Sequence, residues 1–311
     1  MDEFLKDAEP FLDYSDLKIL KAMSSDETVS KSIIKIFEDP EYAGKYLLML
    51  KERPKAIFIV AKLSERISKF FEDKEAELIH NLFLKAIRMI KDTTDTTLKQ
   101  SLFMLIKEAI DRRMKEGDYE GSASLISEFY NFGFKNEFKK ILFIASELAE
   151  KGDFERALKI LNSLFPSEIV NELKTQLHFE WGKKLFSLKN YSSAEVQLRE
   201  AIKLSKNDET TADAKVLLTE VLERQRKYEQ AYRELRDIIA RNPVEEIKIS
   251  RKMAKLLINW GEDIKSEDPD QAIDKLNEAY QISLRVGDSE LGNLAFKKAK
   301  IILNSKKEVS G

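Results

Sequence analysis

The stretch 178-HFEWGKKLFSLKNYSSAEVQLREAI-202 decides how this chain folds. It reads as two helices separated by a break at Lys189-Asn190. Small residues, Gly182, Ala194 and Ala201, fall where the helices would approach most closely, and Trp181, Leu185, Tyr191, Leu198 and Ile202 fill the space around them. Working outward, the same arrangement returns. A small residue early in a second helix falls at Ser122, Ala157, Ala194, Ala231 and Ala272, at steps of 35, 37, 37 and 41 residues. Three positions before the first four stands an aromatic: Tyr119, Phe154, Tyr191 and Tyr228. Helical periodicity with a period in the thirties predicts stacked helical hairpins. The polar breaks between paired helices carry glycine or asparagine, suited to ending a helix in the left-handed region.

These residues resemble the tetratricopeptide repeat (TPR) family. Its units place a small residue midway in the first helix, an aromatic opening the second, and alanine three residues later. The match is best over 175–208, with Trp181, Gly182, Leu185, Tyr191, Ala194, Leu198 and Ala201. It recurs over 138–171, 212–245 and, with a turn one residue shorter, near 254–287 (Trp260, Gly261, Ala272, Leu276, Ala279). A degenerate unit at 103–136 keeps Tyr119, Ser122, Ile126 and Phe129. The resemblance implies an all-α, right-handed α-α superhelix. An amphipathic helix built on Leu291, Leu294, Ala295, Phe296, Ala299 and Ile302 would close it, because a last hairpin left bare exposes an apolar side. The expected domains are an irregular helical region at 1–100, the array with its closing helix at 101–305, and a frayed tail at 306–311.

In the first 100 residues, Ser24 with Glu27 reads as a capping box, Asp39-Pro40 and Pro54 as helix starts, and Glu72-Asp73-Lys74 as a short turn. Asp92–Thr97 reads as the best candidate domain boundary or, equally, as another short turn between helices.

Composition narrows the function. The 311 residues are 43% hydrophobic and 35% charged, with only 10 Gly and 6 Pro, as suits helices on short connections. A net charge of −2 gives no general attraction to nucleic acid or anionic membrane. Cysteine is absent, which removes disulfides, thiolate metal sites and thiol nucleophiles. The acidic N-terminus lacks the pattern of a signal peptide, and no apolar run is long enough to span a bilayer, so a cytoplasmic protein is expected. No cofactor or metal is expected. His80 and His178 each stand alone at helical spacing among apolar residues and read as packing residues; no phosphate loop, dinucleotide glycine fingerprint or His-Glu-x-x-His motif is present. The chain is therefore read as non-catalytic.

The TPR resemblance implies a concave wall of first helices that binds a peptide or protein. In that register the groove residues are Phe179, Lys183, Phe186, Val216, Glu220, Ile258 and Glu262, with the two phenylalanines as anchors. The competing reading packs these side chains against the N-terminal helices or a chain segment lying in the groove. The set of Lys, Asn and Arg with which some TPR proteins hold chaperone tails is not matched: Lys107 fits, but Asp111, Phe143 and Glu180 stand in place of two asparagines and an arginine. Two alternatives remain. One is a TPR-type transcriptional regulator whose helix-turn-helix would lie within Leu17–Phe37, although only Lys31 and Lys35 are basic in its recognition helix, which disfavours nucleic acid. The other is a self-associating structural subunit, a homo-oligomer.

Overall fold

The computed structural model describes residues 2–70, 73–206, 208–241 and 243–310. Among them are seventeen α-helices, a few short 3-10 turns and no strand. The chain divides into two compact units, 1–138 and 139–311.

The first unit contains α1 (Asp2–Ala8), α2 (Tyr14–Met23), α3 (Glu27–Glu38), α4 (Ala43–Met49), α5 (Pro54–Ile67), α6 (Asp73–Ile90), α7 (Thr96–Glu116) and α8 (Tyr119–Glu128). Its centre is α5. Every side chain from Ala56 to Glu65 is buried, and α2, α3, α6 and α7 all pack on it. Pro54 opens α5 as expected, its missing N–H falling where a helix has no partner for one. Two starts differ from the sequence reading. Asp26, not Ser24, caps α3, its carboxylate accepting from Thr28 and Val29, whereas Ser24 ends α2. Asp39 closes α3, and α4 begins only at Ala43. At the first start the aspartate facing free N–H groups prevails over the serine; at the second, Tyr42 precedes α4 and makes no side-chain cap. Part of the turn expected at Glu72-Asp73-Lys74 lies outside the described residues.

Buried charge threads the first unit. Lys62 reaches Asp13 at 2.8 Å and also binds Asp16; Glu65 accepts from Arg112 at 2.5 Å and lies 3.8 Å from Arg113. Burial pushes the Asp16 and Glu65 carboxyls above the usual range, while the bond from Lys62 holds Asp13 well below it.

α9 (Lys135–Glu150) runs through the point where the chain divides. The second unit continues with α10 (Phe154–Asn162), α11 (Glu168–Ser187), α12 (Tyr191–Leu204), α13 (Asp208–Arg224), α14 (Tyr228–Arg241), α15 (Glu246–Ile264), α16 (Pro269–Arg285) and α17 (Ser289–Ser310). From α10 to α17 each helix packs on the next, and α11 also touches α13 as α15 touches α17. That succession is an α-α solenoid, and the protein is a helical repeat protein.

One turn is used five times. After α7, α9, α11, α13 and α16, a residue with positive φ ends the helix: Gly117 (80°), Gly152 (86°), Lys189 (59°), Arg226 (60°) and Gly287 (72°). The next residue sends its N–H back five positions: Asp118 to Arg113, Asp153 to Leu148, Asn190 to Leu185, Lys227 to Leu222 and Asp288 to Ser283, at 2.8–2.9 Å. In four of the five turns that residue also caps the following helix through its side-chain oxygen. Asn190 is thus an N-cap, and Lys189 takes the left-handed position the sequence suggested for asparagine.

Hairpins close through the predicted small residues. A Cβ added to Gly182 would lie 2.8 Å from Leu198 Cγ and 3.6 Å from the Ala194 carbonyl; at Gly261 it would meet Leu276 Cγ at 2.9 Å and the Ala272 carbonyl at 3.0 Å. Neighbouring hairpins lock through stacked rings, Phe154 on Trp181 (5.8 Å) and Tyr228 on Trp260 (5.9 Å). The closing helix α17 lays Ala295, Ala299 and Ile302 into the core and remains helical to Ser310, past the point where the sequence suggests a tail. The degenerate unit forms the hairpin of α7 and α8, with Ser122 fully buried, but it belongs to the first unit because α7 packs on α5 as well. The two compact units divide at 138/139, and 92–97 leads into α7 as an interhelical turn, the second of the two readings of that stretch.

Candidate protein-binding clefts in the second unit

The first helices of successive hairpins, α9, α11, α13 and α15, leave clefts between them. Each has an apolar floor and a charged rim. One, of about 690 Å³, has Ala149, Phe154 and Leu177 below and Glu180, Lys183 and Lys184 above. Another, of about 560 Å³, is lined from three first helices: Phe186 of α11, Glu220 and Glu223 of α13, and Lys252, Lys255, Asn259 and Glu262 of α15. Tyr228, Leu235 and Leu256 complete its floor. A third, of about 650 Å³, lies between α11 and the start of α13 and includes Phe179 and Asp213.

The residues proposed from sequence separate accordingly. Phe186, Glu220 and Glu262 meet in the 560 Å³ cleft. Lys183 lines the first cleft, binding Glu180 at 2.9 Å and lying 5.4 Å over the Phe179 ring. Phe179 faces the third cleft. Phe179, Phe186 and Val216 are only half-exposed, because part of each packs on the unit's own core. Ile258 is not a surface residue. It is 3% exposed, in the same core as Ala295 and Ile302. The open stripe of α15 is Lys252, Lys255, Asn259 and Glu262, and Ile258 lies at its edge, one residue from Asn259. Lys252 and Asn259 were missed by the sequence reading, yet their three-and-four spacing with Lys255 and Glu262 marks one polar helix face.

The rim charges are largely paired across helices. Lys252 donates to Glu220 at 2.7 Å and Asn259 to Glu223 at 2.6 Å. The Tyr228 hydroxyl donates to Asp263, which also lies 3.5 Å from Arg226. Burial pushes the Glu262 carboxyl upward, but bonds from Lys298 (3.0 Å) and Lys265 (3.2 Å) outweigh it and hold it below the usual range. Lys255 and Arg224 line the cleft without an ion pair among the described residues. Charges of both signs beside apolar side chains supply contacts for a chain segment.

The two histidines serve the packing. His178 Nδ1 donates to Gln197 Oε1 at 2.7 Å, tying α11 to α12. His80 Nδ1 lies 2.8 Å from Arg113, which can only donate, so this nitrogen accepts. Burial, then the Arg113 charge, pushes His80 down to about 4. Among the described residues no group of His, Asp and Glu could hold a metal ion, and no helix is long and apolar enough to cross a membrane. In α3, the proposed recognition helix, Lys31 pairs with Glu27 at 2.5 Å and Lys35 with Glu38 at 2.7 Å, so both cations already face carboxylates.

No known protein-family profile matches the chain, and no curated protein matches it. One similar solved structure is a "Circular tandem repeat protein with novel repeat topology and enhanced subunit contact surfaces". It is 15% identical, with a TM-score of 0.24, over 91% of this chain and 70% of that one. The assignment of a helical repeat fold rests on the helices and turns themselves.

Proposed function

We propose that this chain is a TPR-type, non-catalytic adaptor of the cytoplasm whose second unit holds a peptide or protein segment along the clefts between its first helices. The convergence of α11, α13 and α15 on one cleft is the observation that carries the reading. Side chains from three hairpins can engage a single ligand there, and only stacking at a regular rise keeps them in register. Phe186 and the Tyr228 ring offer apolar contact, and Lys255 and Arg224 offer charge free to pair with a partner. The hairpin period, the small-residue contacts and the aromatic opening α8, α10, α12 and α14 support the TPR assignment.

The test is affinity capture from the native source with wild-type protein and two variants. Phe179→Ala/Phe186→Ala removes the apolar anchors. Lys255→Glu/Asn259→Ala alters only the exposed rim and leaves the core intact. A specific partner should be retained by wild type and lost from both variants, with thermal melting confirming that each is folded. Equal retention by the folded rim variant would remove the cleft from the proposal.

A further inference from the structure

The first unit contains a second kind of cavity, unrelated to the repeat clefts. It has a volume of about 580 Å³, within the range of small-molecule sites. α1, the chain at Phe11, α3, the end of α5 and the exposed Phe70 line it, and it is open to solvent on one side. Four phenylalanines face it in two pairs: Phe4 with Phe37 at 5.8 Å, and Phe11 edge-on to Phe70 at 5.5 Å. Ile34, Leu63 and Ile67 add aliphatic wall. Its polar lining is Glu3, Asp7 and Glu38, three carboxylates and no cation among the described residues. Glu38 is paired with Lys35, but Glu3 and Asp7 are exposed and in no ion pair among the described residues.

This composition selects by charge as well as by shape. An anion entering the cavity would meet uncompensated carboxylates. A neutral apolar ligand would satisfy the rings and make no use of the acidic rim. A cation on an apolar body uses both, since ring faces carry negative potential and attract cations within about 6 Å of their centroids. A quaternary ammonium fits best. It has no N–H group to satisfy, so contact with the rings leaves no donor unpaired. We infer that the cavity of Phe4, Phe11, Phe37 and Phe70 rimmed by Glu3, Asp7 and Glu38 is a binding site for a small quaternary alkylammonium ion.

Calorimetric titration of the full-length chain tests this with three probes sharing one ring: benzyltrimethylammonium, benzyl alcohol and phenylacetate. The cation should bind at least about tenfold more tightly than the alcohol, weaken as salt is raised, and phenylacetate should not bind. Glu3→Gln/Asp7→Asn changes two exposed side chains outside the core. It should cost the cation about tenfold and leave the alcohol unchanged, whereas Phe37→Leu should weaken both, with circular dichroism verifying the fold of each variant. Three results would overturn the assignment: the alcohol matching the cation, unaltered cation affinity in the double carboxylate variant, or no binding by any probe. The cleft variants of the second unit leave this site untouched, so the two proposals fail independently.

Discussion

At Lys189 the chain adopts φ 59°, where three sister turns place glycine. A side chain in the left-handed region costs roughly 1–2 kcal/mol, and the exposed Lys189 has no ion pair among the described residues to offset it. Lys189→Gly should therefore stabilise the protein by about 0.5–1 kcal/mol, read as a higher urea midpoint at unchanged slope. Gly261→Ala should do the opposite. Alanine gains about 1 kcal/mol of helix propensity. Its methyl, however, would press on Leu276 and on the Ala272 carbonyl, which is backbone and cannot rotate away. Overpacking of that kind costs about 1–3 kcal/mol, so a lower midpoint is expected. The glycine–alanine contacts were legible in the sequence because only small residues serve there and they recur with the period. The backbone state of Lys189 was not legible, since nothing in a lysine marks positive φ. The burial of Ile258 was missed for a related reason: one residue of rotation, about 100° around a helix, separates the wall from the core.

Among the elements, α5 and α17 carry the clearest consequences. α17 covers one side of α16 with Ala295, Ala299 and Ile302. A chain ending at Asp288 should melt at lower temperature than full length and bind more of a hydrophobic dye, because the last hairpin then exposes its apolar side. Pro54 announced the start of α5, but burial of Lys62 and Glu65 could not be read. Their partners Asp16 and Arg112 come from 46 and 47 residues away. Beside this network, His80 makes a pH-dependent contribution. Its folded value, about 4, lies below the ordinary 6.5, so the folded state favours the neutral ring. That contribution is complete above pH 6.5 and is lost as pH falls through the window from 6.5 to 4. Around the ring stand Arg113, Arg112, Arg88 and Asp118, of which only Asp118 favours protonation. Burial of Asp16 and Glu65 acts in the other direction, easing as they protonate. The comparison of wild type with His80→Gln isolates the histidine: the difference in their urea midpoints should shrink between pH 7 and pH 5.

On the scale of the whole molecule, the chain consists of two units with different logic. The second repeats one hairpin and one turn, and such periodicity is what a sequence displays most openly. The first gathers eight helices, α5 at their centre, without a period, so neither its extent nor its acidic aromatic cleft stood out from the letters. Its last hairpin even mimics the repeat, so the letters group it with the array, whereas its contacts place it in the first compact unit. Two compact units allow separate transitions.

The stacked rings at the hairpin junctions have an optical consequence. Both tryptophans of the chain, Trp181 and Trp260, lie in the second unit, each face to face with an aromatic of the preceding hairpin. Intrinsic indole emission is therefore a local gauge of the solenoid's seams and is silent about the first unit, whereas far-ultraviolet ellipticity sums the helices of both. If the units melt separately, the two signals should trace different midpoints in one denaturant series, and the gap between them measures how independently the halves hold together.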